Sequence, residues 1–150
     1  MARFKLPEGS LFLVPTSKGD AVGVISRVGQ GNVMIAYFFP PDALVDEPDG
    51  SQLNPADAVA IIRLGPLGFK LQGWPVLGTI PKWNREEWGA VTFKSKPAGI
   101  PHYIAQVYDD MNINKCIAHR SVSDEETATL PEDGAYGDQL IPGLLERCLP

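Results

Sequence analysis

Apolar residues in this chain fall in short runs, separated by clusters of Gly, Pro, Asp, Asn and Ser. Such spacing predicts strands joined by turns rather than long helices. GSLFLVP at 9–15 is a continuous apolar run closed by a proline, the pattern of a strand buried on both faces. TSKGD at 16–20 has turn chemistry. AVGVISRVG at 21–29 then sets Val22, Val24, Ser26 and Val28 on one strand face. QGN at 30–32 turns the chain again, and VMIAYFF at 33–39 is a third strand. Together these segments predict an antiparallel meander with short loops. Gly23, inside the second strand, marks a bulge or a close backbone approach.

Beyond the meander the pattern is more mixed. PPDALVDEPDG at 40–50 is an exposed loop with a PDG turn signal. The stretch 54–65 admits two readings. Asn54 can cap a helix with Pro55 at its first position and Asp57 in its first turn, while the β-branched VAIIRL favours a strand. The short run leans to a strand over 58–64. PLGFKLQG allows one helical turn ending at Gly73, and WPVLGTI returns to a strand. HYIAQVY at 102–108 and KCIAHRSV at 115–122 predict two further strands joined through DDMNIN. SDEE at 123–126 is a capping-box pattern, predicting a short helix that stops before Pro131. In PGLLERCL at 142–149, Pro142 can open a last helix whose Leu144, Leu145, Cys148 and Leu149 form an apolar stripe. The expected fold is therefore a single α+β domain over 1–150. It comprises a mostly antiparallel twisted sheet of about six strands and short helices, one of them C-terminal.

Composition narrows the function classes. The chain is 44% hydrophobic and 21% charged, as in an ordinary globule, and its net charge of −5 argues against direct binding of nucleic acid. The acidity is uneven: residues 1–100 carry ten Lys/Arg against nine Asp/Glu, or +1, and residues 101–150 three against nine, or −6. A basic partner is the natural complement. Two distant cysteines, Cys116 and Cys148, do not form a secreted disulfide framework. MARFKLPEGS has no apolar leader core, and VMIAYFF is far too short to cross a membrane, so a cytoplasmic protein is expected.

Nothing in the sequence marks a reaction or a cofactor. His102 and His119 lack any nucleophile-elbow or catalytic-Cys context. CIAH at 116–119 resembles half a metal site, but on a strand a spacing of three sends Cys116 and His119 to opposite faces, and no second pair completes a tetrahedron. GQGN at 29–32 joins two strands and lacks the Gly or Lys of a phosphate loop. Aromatic residues Trp74, Trp83, Trp88, Phe93, Tyr103 and Tyr108 have only a local basic patch beside them: Lys82, Arg85, Lys94 and Lys96, countered by Glu86 and Glu87. Core and rim packing explains them better than base stacking. What points outward is carboxylate: Asp46, Glu47 and Asp49; Asp109 and Asp110; Asp124, Glu125 and Glu126; and Glu132, Asp133 and Asp138.

Several short motifs, in order, resemble one family. EGSLFLVP at 8–15 is similar to its Gly-Asp-hydrophobic-Pro opening, with Ser10 at the usual Asp. GDAVGVISRV at 19–28 is similar to its second strand, with Ala21 in place of an aromatic. GWPVLGTIPKW at 73–83 resembles its Gly-x-Trp-x-Val-Ile-Gly-x-x-Pro core, through Gly73, Trp74, Val76, Gly78 and Pro81. Gly89 and Ala90 stand where prolines are usual. The resemblance is to the Immunity protein 26 family of bacterial polymorphic toxin and contact-dependent inhibition systems. It implies a non-enzymatic inhibitor, without cofactor or metal, that binds and blocks a cognate toxin domain. A basic toxin, such as a nuclease, would complement the acidic groups. In this reading Trp74, Val76, Leu77 and Ile80 form a buried strand. Trp83 and Trp88 are partly exposed interface anchors beside Asp46, Glu47, Asp49, Asp109, Asp110, Asp124, Glu125 and Glu126. The alternative is a small regulatory or scaffold module that binds a peptide or metabolite in a pocket walled by Trp83, Trp88 and Tyr103.

Overall fold

A computed structural model describes residues 6–150. The opening MARFK, half of the stretch read for a leader, lies outside them. Within the described residues no helix is long and apolar enough to cross a membrane. The meander forms as its pattern predicts. β1 (Ser10–Thr16), β2 (Gly19–Val28) and β3 (Met34–Phe39) pair antiparallel, with Leu13 opposite Val22 and Val24 opposite Tyr37. The ambiguous stretch contains both of its readings in succession. Asn54 caps a 3-10 turn at Pro55–Asp57, accepting from the Ala56 N–H at 3.0 Å, and β4 (Ala60–Leu64) follows. Helix α1 (Leu67–Leu71) leads through Gly73, at φ 68°, to β5 (Val76–Thr79). The remaining elements are β6 (Thr92–Ser95), β7 (Ile104–Asp109), β8 (Asn112–Ser121), α2 (Asp124–Thr129), β9 (Ala135–Tyr136) and α3 (Ile141–Cys148).

The class is α+β, but the strands divide between two sheets. One has six strands in the order β5-β1-β2-β3-β4-β9, and the other has three, β6-β7-β8. Every pairing is antiparallel except the two-residue β4–β9 ladder. The sequence signal missed β6, because TFKS carries no alternation longer than its four residues.

The six-stranded sheet is buried on both faces, which explains its continuous apolar runs. On one face Phe12, Val14, Ala21, Ile25, Met34, Ala36 and Phe38 pack with Trp74 and with Ile141, Leu145 and Leu149 of α3. On the other, Leu11, Val22, Val24, Tyr37 and Phe39 pack under Ile80 and Trp88, with Ala43, Leu44 and Leu53 of the 40–53 loop. A third cluster, Ile35, Phe93, Tyr108 and Ile113, joins the two sheets.

Three face assignments change. In β2, Ile25 pairs with Ala36 but Arg27 pairs with Ile35, so Ser26 is an extra residue in a bulge. The alternation inverts there. Val22 and Val24 keep one face, Val28 turns to the other, and the Ser26 hydroxyl donates to the Ile35 carbonyl at 3.2 Å. In α3, the helix begins at Ile141, so the buried stripe is Ile141, Leu145 and Leu149, spaced by four. Cys148 faces solvent and Leu144 is half-buried. In the tryptophan segment only Trp74 and Ile80 are buried. Val76 and Leu77 are 46% and 48% exposed on β5, an edge strand whose outer side no other strand of the described residues covers. Gly78, at φ 133°, and the exposed Pro81 serve the bend rather than a close approach.

Gly23 is the close approach. A Cβ there would stand 2.3 Å from Cζ of Phe12. That ring is fixed edge-on to Phe38 and Phe69, with centroids at 5.7 and 4.8 Å, and stacked on Trp74 at 6.1 Å. Gly23→Ala should therefore cost about 2–3 kcal/mol by overpacking, lowering the melting temperature by about 5–10 °C. Adding Phe12→Leu should recover part of that loss. A thermal melt of Gly23→Ala within a degree of the parent would contradict the packing described.

Candidate binding surface

The tryptophans sort by depth. After Pro81 the chain turns through Lys82, at φ 55°, into a 3-10 turn at Arg85–Trp88 that Asn84 caps. That turn drives Trp88 inward: its ring meets Tyr37 and Phe39 edge-on, with centroids at 5.1 and 5.9 Å, and it is 4% exposed. Trp83 lies half-buried over Trp88 at 5.5 Å. The expected pair of partly exposed anchors is thus one core residue and its lid. Burial also raises the Tyr37 phenol pKa, against the hydrogen bond it accepts from the Ala90 N–H at 2.9 Å.

The next layer is ionic. The bulge at Ser26 aims Arg27 toward the β7–β8 turn rather than into the α3 side of the sheet. Its side chain is 3% exposed, and its Nε donates to Asp110 Oδ1 at 2.7 Å. Its two terminal nitrogens donate to the carbonyls of Ser26 and Arg85, at 2.7 and 3.1 Å. Arg85 in turn holds Asp110 Oδ2 at 2.6 Å and Glu8 Oε1 at 2.9 Å. Asp110, read as a partner-binding group, is therefore an internal counter-ion. Burial pushes its pKa up, but hydrogen bonds from Arg27 and Arg85 outweigh that and leave it lowered.

A second buried pair joins the sheets. Arg63 of β4 donates to Asp133 at 2.7 Å and to the Tyr108 hydroxyl at 2.9 Å, and Tyr108 itself donates to Asp133. Burial first, and the Asp133 hydrogen bond second, push the Tyr108 phenol well above its usual range. Nearby, β8 is bulged: Tyr108 faces Cys116 while Val107 faces Ala118, so Ile117 is extra. The bulge reverses the expected separation of Cys116 and His119. They share a face, with Sγ and Nε2 3.8 Å apart. Among the described residues no group of three His, Cys, Asp or Glu side chains is placed to hold a metal ion. His102 and His119 are both exposed.

The other carboxylates divide similarly. Asp109 accepts from the Met111 N–H at 3.0 Å, inside the β7–β8 turn. Asp49 accepts from the Ser51 N–H at 2.9 Å, which lowers its pKa, and the Glu47 carboxylate lies 3.5 Å from the Gln52 amide nitrogen. Asp46 is exposed on the same loop. Glu126 has its N–H on the Ser123 hydroxyl at 3.1 Å, as the capping pattern predicts. Its carboxylate also pairs with Arg120 at 2.8 Å, and that hydrogen bond first, with a smaller one from the Ser123 backbone, lowers its pKa. Asp124 and Glu125 are exposed and, among the described residues, have no ion pair.

At the other end of α2 lies a feature that the motifs did not signal. A cleft of ≈ 380 Å³ is walled by Ala58–Ile62 on one side, Thr129–Glu132 on the other, and Leu144 and Cys148 of α3. It contains none of Trp83, Trp88 or Tyr103, the residues expected of a ligand pocket. No motif or spacing in the sequence pointed to it.

No protein-family model matches this chain, and neither a curated protein nor a solved structure does.

The ionic layer makes a prediction about pH. A carboxylate whose pKa is lowered by folding stabilises the native state above its unfolded value, here the usual 3.8. That contribution is lost as pH falls through the lower folded value. Asp110→Asn should cost about 1–2 kcal/mol at pH 7, allowing for its half-exposed carboxylate, and progressively less as the parent is titrated below pH 3.8. Urea melts of both proteins at pH 7 and near pH 2.5 measure this. A difference that stays constant with pH would contradict the assignment.

Proposed function

We propose that this chain is a protein-binding inhibitor that holds and blocks a basic toxin domain, as its resemblance to the Immunity protein 26 family implies. The partner docks over α2 and the cleft beside it. The observation that carries this reading is the fate of the last third's charge. Asp110, Glu126 and Asp133 are ion-paired within the chain. Asp109, Glu132, Asp138 and Glu146 accept hydrogen bonds from other groups of the chain. Asp124 and Glu125 alone have neither an ion pair nor a side-chain hydrogen bond among the described carboxylates of 101–150.

Those two side chains sit on a fixed platform. Ser123 caps the helix, the Arg120–Glu126 pair ties it to β8, and the Lys94 ammonium reaches the Thr127 carbonyl at 2.6 Å. Carboxylates held this way steer a basic partner and accelerate its association. The six residues of α2 span about 9 Å, so the charged rim and the apolar cleft belong to one surface. An apolar centre with a polar rim is the usual anatomy of a protein interface. The role asks for no chemistry from His102 or His119.

Replacing Asp124 and Glu125 together by Lys, with Glu126 kept to preserve its pair with Arg120, should slow association with a basic toxin domain at least about tenfold at low salt. Near 1 M salt, where the screening length is about 3 Å, the two rates should converge. Stopped-flow association across a salt series checks this, with a thermal melt as the folding control. Equal rates at every salt concentration would remove α2 from the docking surface.

A further inference from the structure

The backbone around the cleft supports a more specific statement. β4 pairs with β3 along its whole length, Met34 to Leu64 through Phe38 to Ala60. On its other margin β9 covers only Arg63 and Leu64. The residues just before β9 are taken elsewhere. The Lys94 N–H donates to the Pro131 carbonyl at 2.8 Å, and the Asp133 N–H to the Lys94 carbonyl at 2.7 Å, so this segment pairs with β6 of the other sheet. The chain forks: it follows β6 at Glu132 and returns to β4 only at Ala135. The wedge between the branches is the cleft, and one wall of it is the margin of Ala60, Ile61 and Ile62, unpaired among the described residues.

The other sheet margins are guarded. β5 is irregular where Leu11 faces Gly78 but Phe12 faces Val76, and its Gly78 lies at φ 133°. β8 carries Lys115, His119 and Arg120, all exposed. Bulges and charges of this kind discourage strand pairing. Ala60, Ile61 and Ile62 offer neither, and the β-branched Ile61 and Ile62 suit a pleated ladder.

We infer that this margin is a strand acceptor: an extended segment of the partner protein adds to the sheet beside Ala60–Ile62 and seats alternate side chains in the wedge. The backbone dictates the class of occupant. Successive residues of a strand point their N–H and C=O groups to opposite margins. Ala60 and Ile62, opposite Phe38 and Ala36, turn theirs to β3, so Ile61 presents the open donor and acceptor, and an extended chain laid beside it supplies both partners. The walls select its side chains. Ile61, Ile62, Leu130, Pro131 and Leu144 favour apolar residues at alternate positions. Glu132 on one wall and Asp57, next to Ala58, have no ion pair among the described residues, so a Lys or Arg flanks the segment. The inference deepens the partner-binding reading above but does not depend on the partner's being a toxin.

The test uses the full chain and a panel of fluorescein-labelled nine-residue peptides, alternating Val, Ile or Phe with Thr and ending in Lys. At least one should bind saturably below about 1 mM. Exchange of the Ile61 amide hydrogen should slow about tenfold or more on binding. N-methylating alternate backbone amides of that peptide, which leaves its side chains intact, should weaken binding at least tenfold, and Leu130→Lys should do the same from the protein side. The inference fails if no peptide saturates, if the N-methylated peptide binds equally, or if the slowed amides lie elsewhere. It also fails if the free chain is a dimer with the Ile61 amide already protected, since a second copy would then occupy the margin. Peptide binding as described, in a chain that does not block a toxin, would overturn the toxin reading and leave the acceptor standing.

Discussion

A buried guanidinium organises this molecule. Arg27 lies inside the protein with its hydrogen bonds committed to Asp110 and to the carbonyls of Ser26 and Arg85. An arginine in that position is tolerable only when its charge and its N–H groups are met. The requirement fixes several elements at once. β2 must bulge at Ser26 to aim the side chain, the β7–β8 turn must bring Asp110 to it, and the 3-10 turn after Trp83 must bring Arg85, which Glu8 ahead of β1 also holds. Trp88 rides into the core on that same turn. The second sheet is thereby tied to the first through ionic contacts as well as through Ile35, Phe93, Tyr108 and Ile113.

This constraint changes the meaning of the chain's charge. The acidic last third looks like a surface for a basic partner, yet part of its complement is the chain itself. Arg27 and Arg85 meet Asp110, and Arg63 meets Asp133, each arginine coming from the first hundred residues. Once these pairs form, the carboxylates of the last third left without an ion pair or a hydrogen bond lie together at the start of α2. That patch adjoins a wedge whose existence depends on Pro131–Asp133 pairing with β6 before returning to β4. Charge and open backbone lie close together because a single short segment, 124–136, carries the first and leaves the second uncovered on β4.

Legibility in the sequence followed the range of the determining interaction. The meander was readable because apolar runs and turn residues are local, and so were the Ser123 cap and the stop at Pro131. Asn54–Leu64 was readable in both its halves, though not in their order. One-residue insertions were not readable. The bulges at Ser26 and Ile117 reverse every face assignment after them, and they arise from contacts with β3 and β7. Pattern alone therefore placed Val28 on the wrong face and separated Cys116 from His119. The flanking charges of Trp88 suggested exposure, but Tyr37 and Phe39, about fifty residues earlier, decide its burial. The cleft was invisible because neither of its walls is a motif.

The central claim is that this protein blocks a lethal partner by occupying it. The most direct measurement expresses, in growing cells, the C-terminal domain encoded immediately upstream of this chain, with and without the chain, and counts survivors. Killing by the domain alone, survival when both are present and a one-to-one complex on a sizing column are the expected results. A domain that is harmless, or that kills equally with this protein present, would contradict the claim.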